Sequence, residues 1–401
     1  MPMSWALLIA LVLAGGGYLV GRARAFSAAG ADIRSLHSRP IYHGASVALL
    51  TLTPAIAVLV VAAVLRMLQV LDGGAATAVG FLAVAAAVAG LGWGVSRIGA
   101  GFKARNAVEA IVLGFLILCS TIAILTTAGI VLSMLFETGH FFQKYSWTEF
   151  FFGTNWTPRF QGNSQLGILP LLWGTLYISL IALLVAVPIG MFAAIYMSEY
   201  ASRRVRSIAK PAIEILAGIP TIVYGLFALI TVGPMLRDYF AQPLGLGNSG
   251  SSVLTAGLVM GIMLIPFVSS LSDDIINAVP QSLRDGALGL GSTQSETIKQ
   301  VVLPAALPGI VGAVLLAASR AIGETMIVVL GAGAAARMSL NPFEAMTTIT
   351  VKIVSQLTGD NDFAAPETLV AFALGLTLFV ITLGLNIVAL YIVRKYREQY
   401  E

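Results

Sequence analysis

Long apolar runs and short polar connections alternate along the chain. A helix needs about 20 apolar residues to cross hydrocarbon, and nine such runs occur, at 3–20, 45–65, 75–95, 110–136, 167–197, 215–236, 253–271, 305–330 and 369–393. Eight contain no charged residue; the run at 305–330 contains Arg320 and Glu324. The runs are continuous and rich in Leu, Ala, Ile and Val, without the period-two alternation of a lipid-facing strand, so they predict helices and not a barrel. Pro54, Pro170, Pro188, Pro220 and Pro266 fall inside them, which a bundle tolerates when neighbouring helices satisfy the freed carbonyls. The expected fold class is all-α, a polytopic membrane helix bundle of about nine transmembrane helices.

Composition narrows this further. With 401 residues, 58% hydrophobic, 10% charged and a mean hydropathy of +0.90, the chain lies outside the water-soluble globular range. One Cys and three distant His (His37, His43, His140) supply neither a disulfide framework nor a metal site of the usual spacings, and no cofactor is implied. The net charge of +4 is a small excess that in a membrane protein reports topology and not nucleic-acid binding. With the carboxyl end placed in the cytoplasm, sixteen Lys and Arg share that side, Arg22, Arg34, Lys103, Arg206, Lys210 and Arg284 among them. Six lie opposite (Arg66, Lys144, Arg159, Arg237, Arg337, Lys352), and Arg320 is inside a span. That bias predicts an external amino end and a cytoplasmic carboxyl end. No cation precedes the first span and no A-x-A-like site closes it, so it reads as a retained anchor and not a signal peptide. The aromatic residues at 141–160 read as an interfacial belt.

The chain divides in organisation near residue 105. The first three spans carry no intramembrane ionisable group and read as an accessory bundle, 1–105; the other six spans, 106–401, hold every feature that suggests chemistry. Between two of those spans runs DDIINAVPQSLRDGALGLGSTQSETIKQVVLPAALPG. Pro280 can open a helix over 282–288, Gly289 and Gly291 break it, and a second stretch at 293–302 stops before Pro304. A short helix across the cytoplasmic face can fit a partner's groove through apolar anchors.

The spacing Asp285-Gly286-Ala287, three residues, Gly291, nine residues, Val301-Val302-Leu303-Pro304 resembles the E-A-A-x3-G-x9-I-x-L-P coupling loop of ABC importer permeases. Asp stands for Glu, Gly286 for the first Ala and Val301 for Ile, while Ala287, Gly291, Leu303 and Pro304 match. The resemblance implies a six-span permease core with a cytoplasmic coupling loop at 272–304, in which Asp285, Gly286, Ala287, Gly291, Leu303 and Pro304 serve coupling to the ATP-binding subunit. Two further stretches, EILAGIPTIVYG at 214–225 and SRAIGETM at 319–326, resemble the phosphate importer permeases, the PstC-type subunit more than the PstA-type. The resemblance covers about 106–401.

Arg320 sits about fifteen residues into its span, where an Arg costs about 2.5–3.5 kcal/mol on insertion scales. Glu324 at i+4 would share its helical face and offset the charge as an ion pair. Two readings follow: the pair fixes helix rotation, or Arg320 faces the translocation path and takes phosphate oxygens through its forked donors, with Glu324 as resident counter-ion. In the family this Arg and Glu are associated with transport, so the resemblance implies the second. Gly323 and Ser319 read as packing residues, and Thr325 as bonded back to its own helix. Asp273, Asp274 and Glu109 read as solvated or interfacial carboxylates, because no His or metal cluster accompanies them.

The chain lacks G-x-x-x-x-G-K-[ST], so a P-loop motor must be separate. The resemblance implies the permease subunit of an ATP-driven phosphate importer, working with an ATP-binding subunit dimer, a second, PstA-type permease and an extracytoplasmic phosphate-binding protein that docks on the loops at 137–166, 237–252 and 331–366. Rival readings are a permease for another oxyanion, a carrier driven by an ion gradient, and a membrane enzyme, which the missing nucleophile-plus-base constellation disfavours.

Overall fold

The computed structural model describes residues 2–30, 36–70, 75–159, 163–359 and 365–397; Arg34 and Phe160, which entered the charge sorting and the aromatic run, lie outside them. Two compact units divide the chain, Met1–Ala128 and Gly129–Glu401.

In the first unit, α1 (Met3–Ala29), α2 (Pro40–Met67) and α3 (Ala75–Ser96) pack on one another, and α4 (Ala104–Lys144) runs on as one helix into the second unit. Lipid tails are as apolar as Leu, so close backbone approach, not solvent exclusion, holds such helices together. Accordingly α1 buries Ala6, Ala10, Ala14, Gly17, Gly21, Ala25 and Ala29, one small residue per turn. The approach is tightest at Gly90, where any Cβ would collide with the Leu50 carbonyl. Glu109 pairs with Arg105 at 2.6 Å on an exposed face, as expected of an interfacial carboxylate.

The second unit opens with α5 (Trp147–Phe152) and a hairpin of two short antiparallel strands, β1 (Trp156–Thr157) and β2 (Gln165–Leu166). Then come α6 (Leu169–Ile195), α7 (Arg203–Ala217), α8 (Thr221–Phe227), α9 (Gly233–Leu236) and α10 (Val253–Ala278). After α10 come α11 (Gln281–Gly289), α12 (Gln294–Thr297), α13 (Leu303–Ile322), α14 (Met326–Gly331), α15 (Ile349–Gly359) and α16 (Pro366–Arg397). Its main core lies between α6 and α10, where Ile178, Ala182 and Ala186 meet Ala256, Val259, Met260 and Met263. A second cluster buries Phe141, Phe150 and Trp156 with Leu171, Ile349 and Leu374. The aromatic run therefore departs from the interfacial belt expected of it: its central rings form a core, while Trp147, Phe151 and Phe152 stay exposed.

Among the described residues nine helices are long and apolar enough to cross a membrane, each overlapping one of the nine runs. Two of the runs are cut by a helix boundary. The span expected at 215–236 occupies Thr221–Ala241, because α7 is a separate surface helix without a buried residue and stops at Gly218, ahead of Pro220. The run at 305–330 is broken: α13 ends at Ile322 and α14 restarts at Met326.

Candidate functional site

The break at 323–325 sets the geometry of the intramembrane charges. Ion pairing at i,i+4 needs an unbroken helix, and among the described residues no ion pair joins Arg320 to Glu324. Gly323 caps α13, and the Glu324 carboxylate turns forward. Its Oε1 accepts the backbone N–H groups of Thr325 (3.1 Å), Met326 (3.0 Å) and Ile327 (3.4 Å). These are α14's first amides, which have no partner within the helix. Thr350 donates its hydroxyl to the Glu324 carbonyl at 2.9 Å, tying the break to α15. The Thr325 hydroxyl reaches only the Gly323 carbonyl, at 3.5 Å, too long for an ordinary O–H···O bond.

Arg320, in the last turn of α13, instead lies over the Phe267 ring, its guanidinium carbon 4.0 Å from the centroid. Gly309 faces Ile275 and Gly331 faces Ala256; α13 and α14 thus run antiparallel to α10, and Arg320 meets that helix midway along its length. Arg320 and Phe267, with Leu271, Leu316, Ala317 and Ser319, line a recess of about 300 Å³. Arg320 is nonetheless an exposed residue on this chain.

At the carboxyl end of α10 a second charged group forms. Asp273 has no exposed surface, contrary to the solvated carboxylate expected there, and only Asp274 is exposed. Asp273 accepts from Arg206 (3.1 and 2.9 Å), Lys210 (2.9 Å) and Asn277 (2.9 Å). A carboxylate buried this deeply must be paired, and its partners come from α7, 63 and 67 residues away in sequence. Hydrogen bonds to Asp273 and then Asp274 raise the Lys210 pKa, outweighing the opposing effect of burial.

The loop that carries α11 and α12 hangs from the same end. Arg284 pairs with Glu199 at 3.0 Å, both largely buried, and donates to the carbonyls of Val279 (2.6 Å) and Ile276 (2.7 Å). With this anchor beneath it, α11 keeps its outer face free: Asp285 and Gly286 are exposed, Ala287 is half-buried, and Leu290 is 90% exposed. Gly291 takes φ 92°, a left-handed conformation open to Gly and costly for other residues. Leu303 packs inward beside Val302 and Ile276, and Pro304 is exposed in the first turn of α13. Arg320 and Glu324 thus lie midway along α10, and the loop bearing Asp285 to Gly291 at its carboxyl end. The Asp273, Glu199–Arg284 and Phe267 contacts left no local signal, because each joins residues far apart in sequence.

At the other end of α10 the backbone N–H groups of Ser252, Val253 and Leu254 donate to the carbonyls of Gly331, Glu344 and Pro342. A cavity of about 750 Å³ opens beside α5 and the β-hairpin, lined by Glu149, Asn155, Arg159, Ser164 and Gln165. Ser164 there donates to the buried Glu367 carboxylate.

Residues 186–398 match the family described as binding-protein-dependent transport system inner membrane component, which defines the class: a multi-pass inner-membrane subunit of a transport system. Residues 7–70 match a second family, described as phosphate ATP-binding cassette transporter. The phosphate transport system permease protein PstC of Mesorhizobium japonicum is 36% identical over 262 residues, covering 62% of this chain and 78% of that protein. PstC 1 of Mycobacterium tuberculosis is 36% identical over 282 residues, covering 62% and 82%. The probable ABC transporter permease YqgH of Bacillus subtilis is 32% identical over 234 residues, covering 58% and 74%. The chain belongs to the phosphate transport system permease family, PstC type.

Proposed function

We propose that the chain forms one wall of the path by which phosphate crosses the inner membrane, with Arg320 as the group that meets the anion halfway. The observation that carries this is a guanidinium midway along α10, on an open face, with no carboxylate paired to it among the described residues. Such a charge facing lipid would cost about 2.5–3.5 kcal/mol. A face bearing it therefore belongs against a second subunit and a water-lined route. The planar fork suits a tetrahedral oxyanion, and a site that is to be passed and not occupied must hold its ion weakly. Glu324 shapes the same level of the path by fixing the helix break, in place of the counter-ion role expected from i+4 spacing.

The motor is a dimer of separate ATP-binding subunits, which seat on the outer face of α11. Asp285, Gly286, Ala287 and Gly291 form that contact, and Leu303 with Pro304 carries its movement into α13. A PstA-type permease completes the pore. An extracytoplasmic phosphate-binding protein docks at the opposite end, where the polar cavity beside α5 opens. Residues 1–105 are an appended three-helix unit and 106–401 the permease core, with the amino end external and the carboxyl end cytoplasmic.

The test is phosphate uptake by the assembled importer carrying Arg320→Gln. Uptake is expected to collapse while membrane abundance and ATPase association stay at wild-type levels. Normal uptake would reduce Arg320 to a structural residue.

A further inference from the structure

We infer that Phe267 is the resting partner of the Arg320 cation, a positioning residue that holds the guanidinium by its face and leaves its N–H edge free for the anion. The inference rests on the reading of Arg320 as the phosphate contact and adds the means by which that contact is kept ready.

Three observations converge. The ring centroid is 4.0 Å from the guanidinium carbon, well inside the distance at which a cation is drawn to an aromatic face. The carboxylate that could have competed, Glu324, is committed to three backbone amides of α14. The remaining walls of the recess, Leu271, Leu316, Ala317 and Ser319, bring no charge, so no second ionised group there competes with the ring for the guanidinium.

The chemistry separates a ring from a carboxylate as a partner. A carboxylate would occupy the forked donors that phosphate needs, and releasing them would add to the barrier for passage. A phenyl ring accepts no ordinary hydrogen bond, so all five guanidinium N–H donors remain available along the edge. Phe267 therefore compensates the charge between passages without consuming its specificity. It also fixes Arg320 at the middle of α10, where a long side chain would otherwise swing toward either membrane face.

The experiment is phosphate transport by the complete importer in proteoliposomes, with Phe267 replaced by phenylalanines carrying one, two and three ring fluorines. Fluorine withdraws electron density from the ring face and scarcely alters its shape. The rate at saturating phosphate is expected to fall stepwise along the series, and Phe267→Leu to lower it about tenfold, equivalent to about 1.4 kcal/mol. Phe267→Trp should retain it. A flat response along the fluorinated series overturns the inference whatever Phe267→Leu does, since Leu can also fail through packing. Arg320→Gln, assayed alongside, separates the two claims. If that variant transports normally, the reading of Arg320 falls and this one with it; if it fails while the fluorinated series is flat, only the role of Phe267 falls.

Discussion

Glu324 shows how the geometry expected of a single residue can fail when it is read from a string of letters. The stretch R-A-I-G-E-T-M holds both charges, but the expected pairing assumed a helix that continues through Gly323. It stops there, and the acid becomes a cap for the helix that follows. The signal was available: an acidic residue just before an apolar run is a helix start, outweighed here by the length of the hydrophobic stretch around it. Capping and counter-charge predict different mutants. Glu324→Gln removes the charge yet keeps a carbonyl oxygen for the amides, so uptake is expected within about threefold of wild type, a fraction of a kcal/mol. Glu324→Ala removes the acceptor and costs about 1 kcal/mol of local stability, visible as a lower unfolding temperature of the solubilised protein. If Gln and Ala proved equally damaging to uptake with no change in stability, the charge and not the cap would be what matters.

At the scale of elements, hydropathy made the spans legible because each must satisfy its own backbone in lipid, a constraint written locally in about 20 residues. What joins one element to another is not local, and the brace between α7 and α10 escaped for that reason. Asp273 lies in α10 and its cations in α7; nothing within ten residues of Asp273 announces them. The brace holds α7 against the end of α10 from which α11 is hung, the loop proposed to meet the ATP-binding subunit. Asp273→Ala would leave Arg206 without a carboxylate and Lys210 with only the exposed Asp274, at a cost of about 3 kcal/mol, the low end for a broken buried pair because both cations keep some solvent. Asp273→Asn should cost less, retaining the bonds through its carbonyl. Both are measurable as thermal shifts and as loss of ATP-binding subunit on co-purification. Because the Lys210 pKa is raised on folding, its contribution is complete below the unfolded value of about 10.4. It is lost only as pH rises through the higher folded value. Stability should therefore show no loss from Lys210 between pH 7 and 10, and a fall beyond that which Lys210→Met abolishes.

For the whole molecule, orientation is the property that every functional assignment presupposes, since docking faces exchange roles if the chain is inverted. The argument for it is the excess of Lys and Arg on one side, and α10 allows it to be tested within one unit. The segment containing Leu340 lies against the amino end of α10, where Leu254 donates to the Pro342 carbonyl, and Leu290 follows its carboxyl end, just after α11. At about 1.5 Å per residue a helix of this length spans roughly 39 Å, more than the hydrocarbon thickness of about 30 Å, so the two positions lie on opposite sides of a membrane that α10 crosses. Both are well exposed, at 77% and 90%. The chain's single cysteine, Cys119, is replaced by Ser to clear the background. A membrane-impermeant maleimide should then modify Leu340→Cys in right-side-out vesicles and Leu290→Cys only in inside-out ones. The reverse pattern would put the coupling loop outside, away from any ATP-driven partner, and the proposed mechanism could not operate.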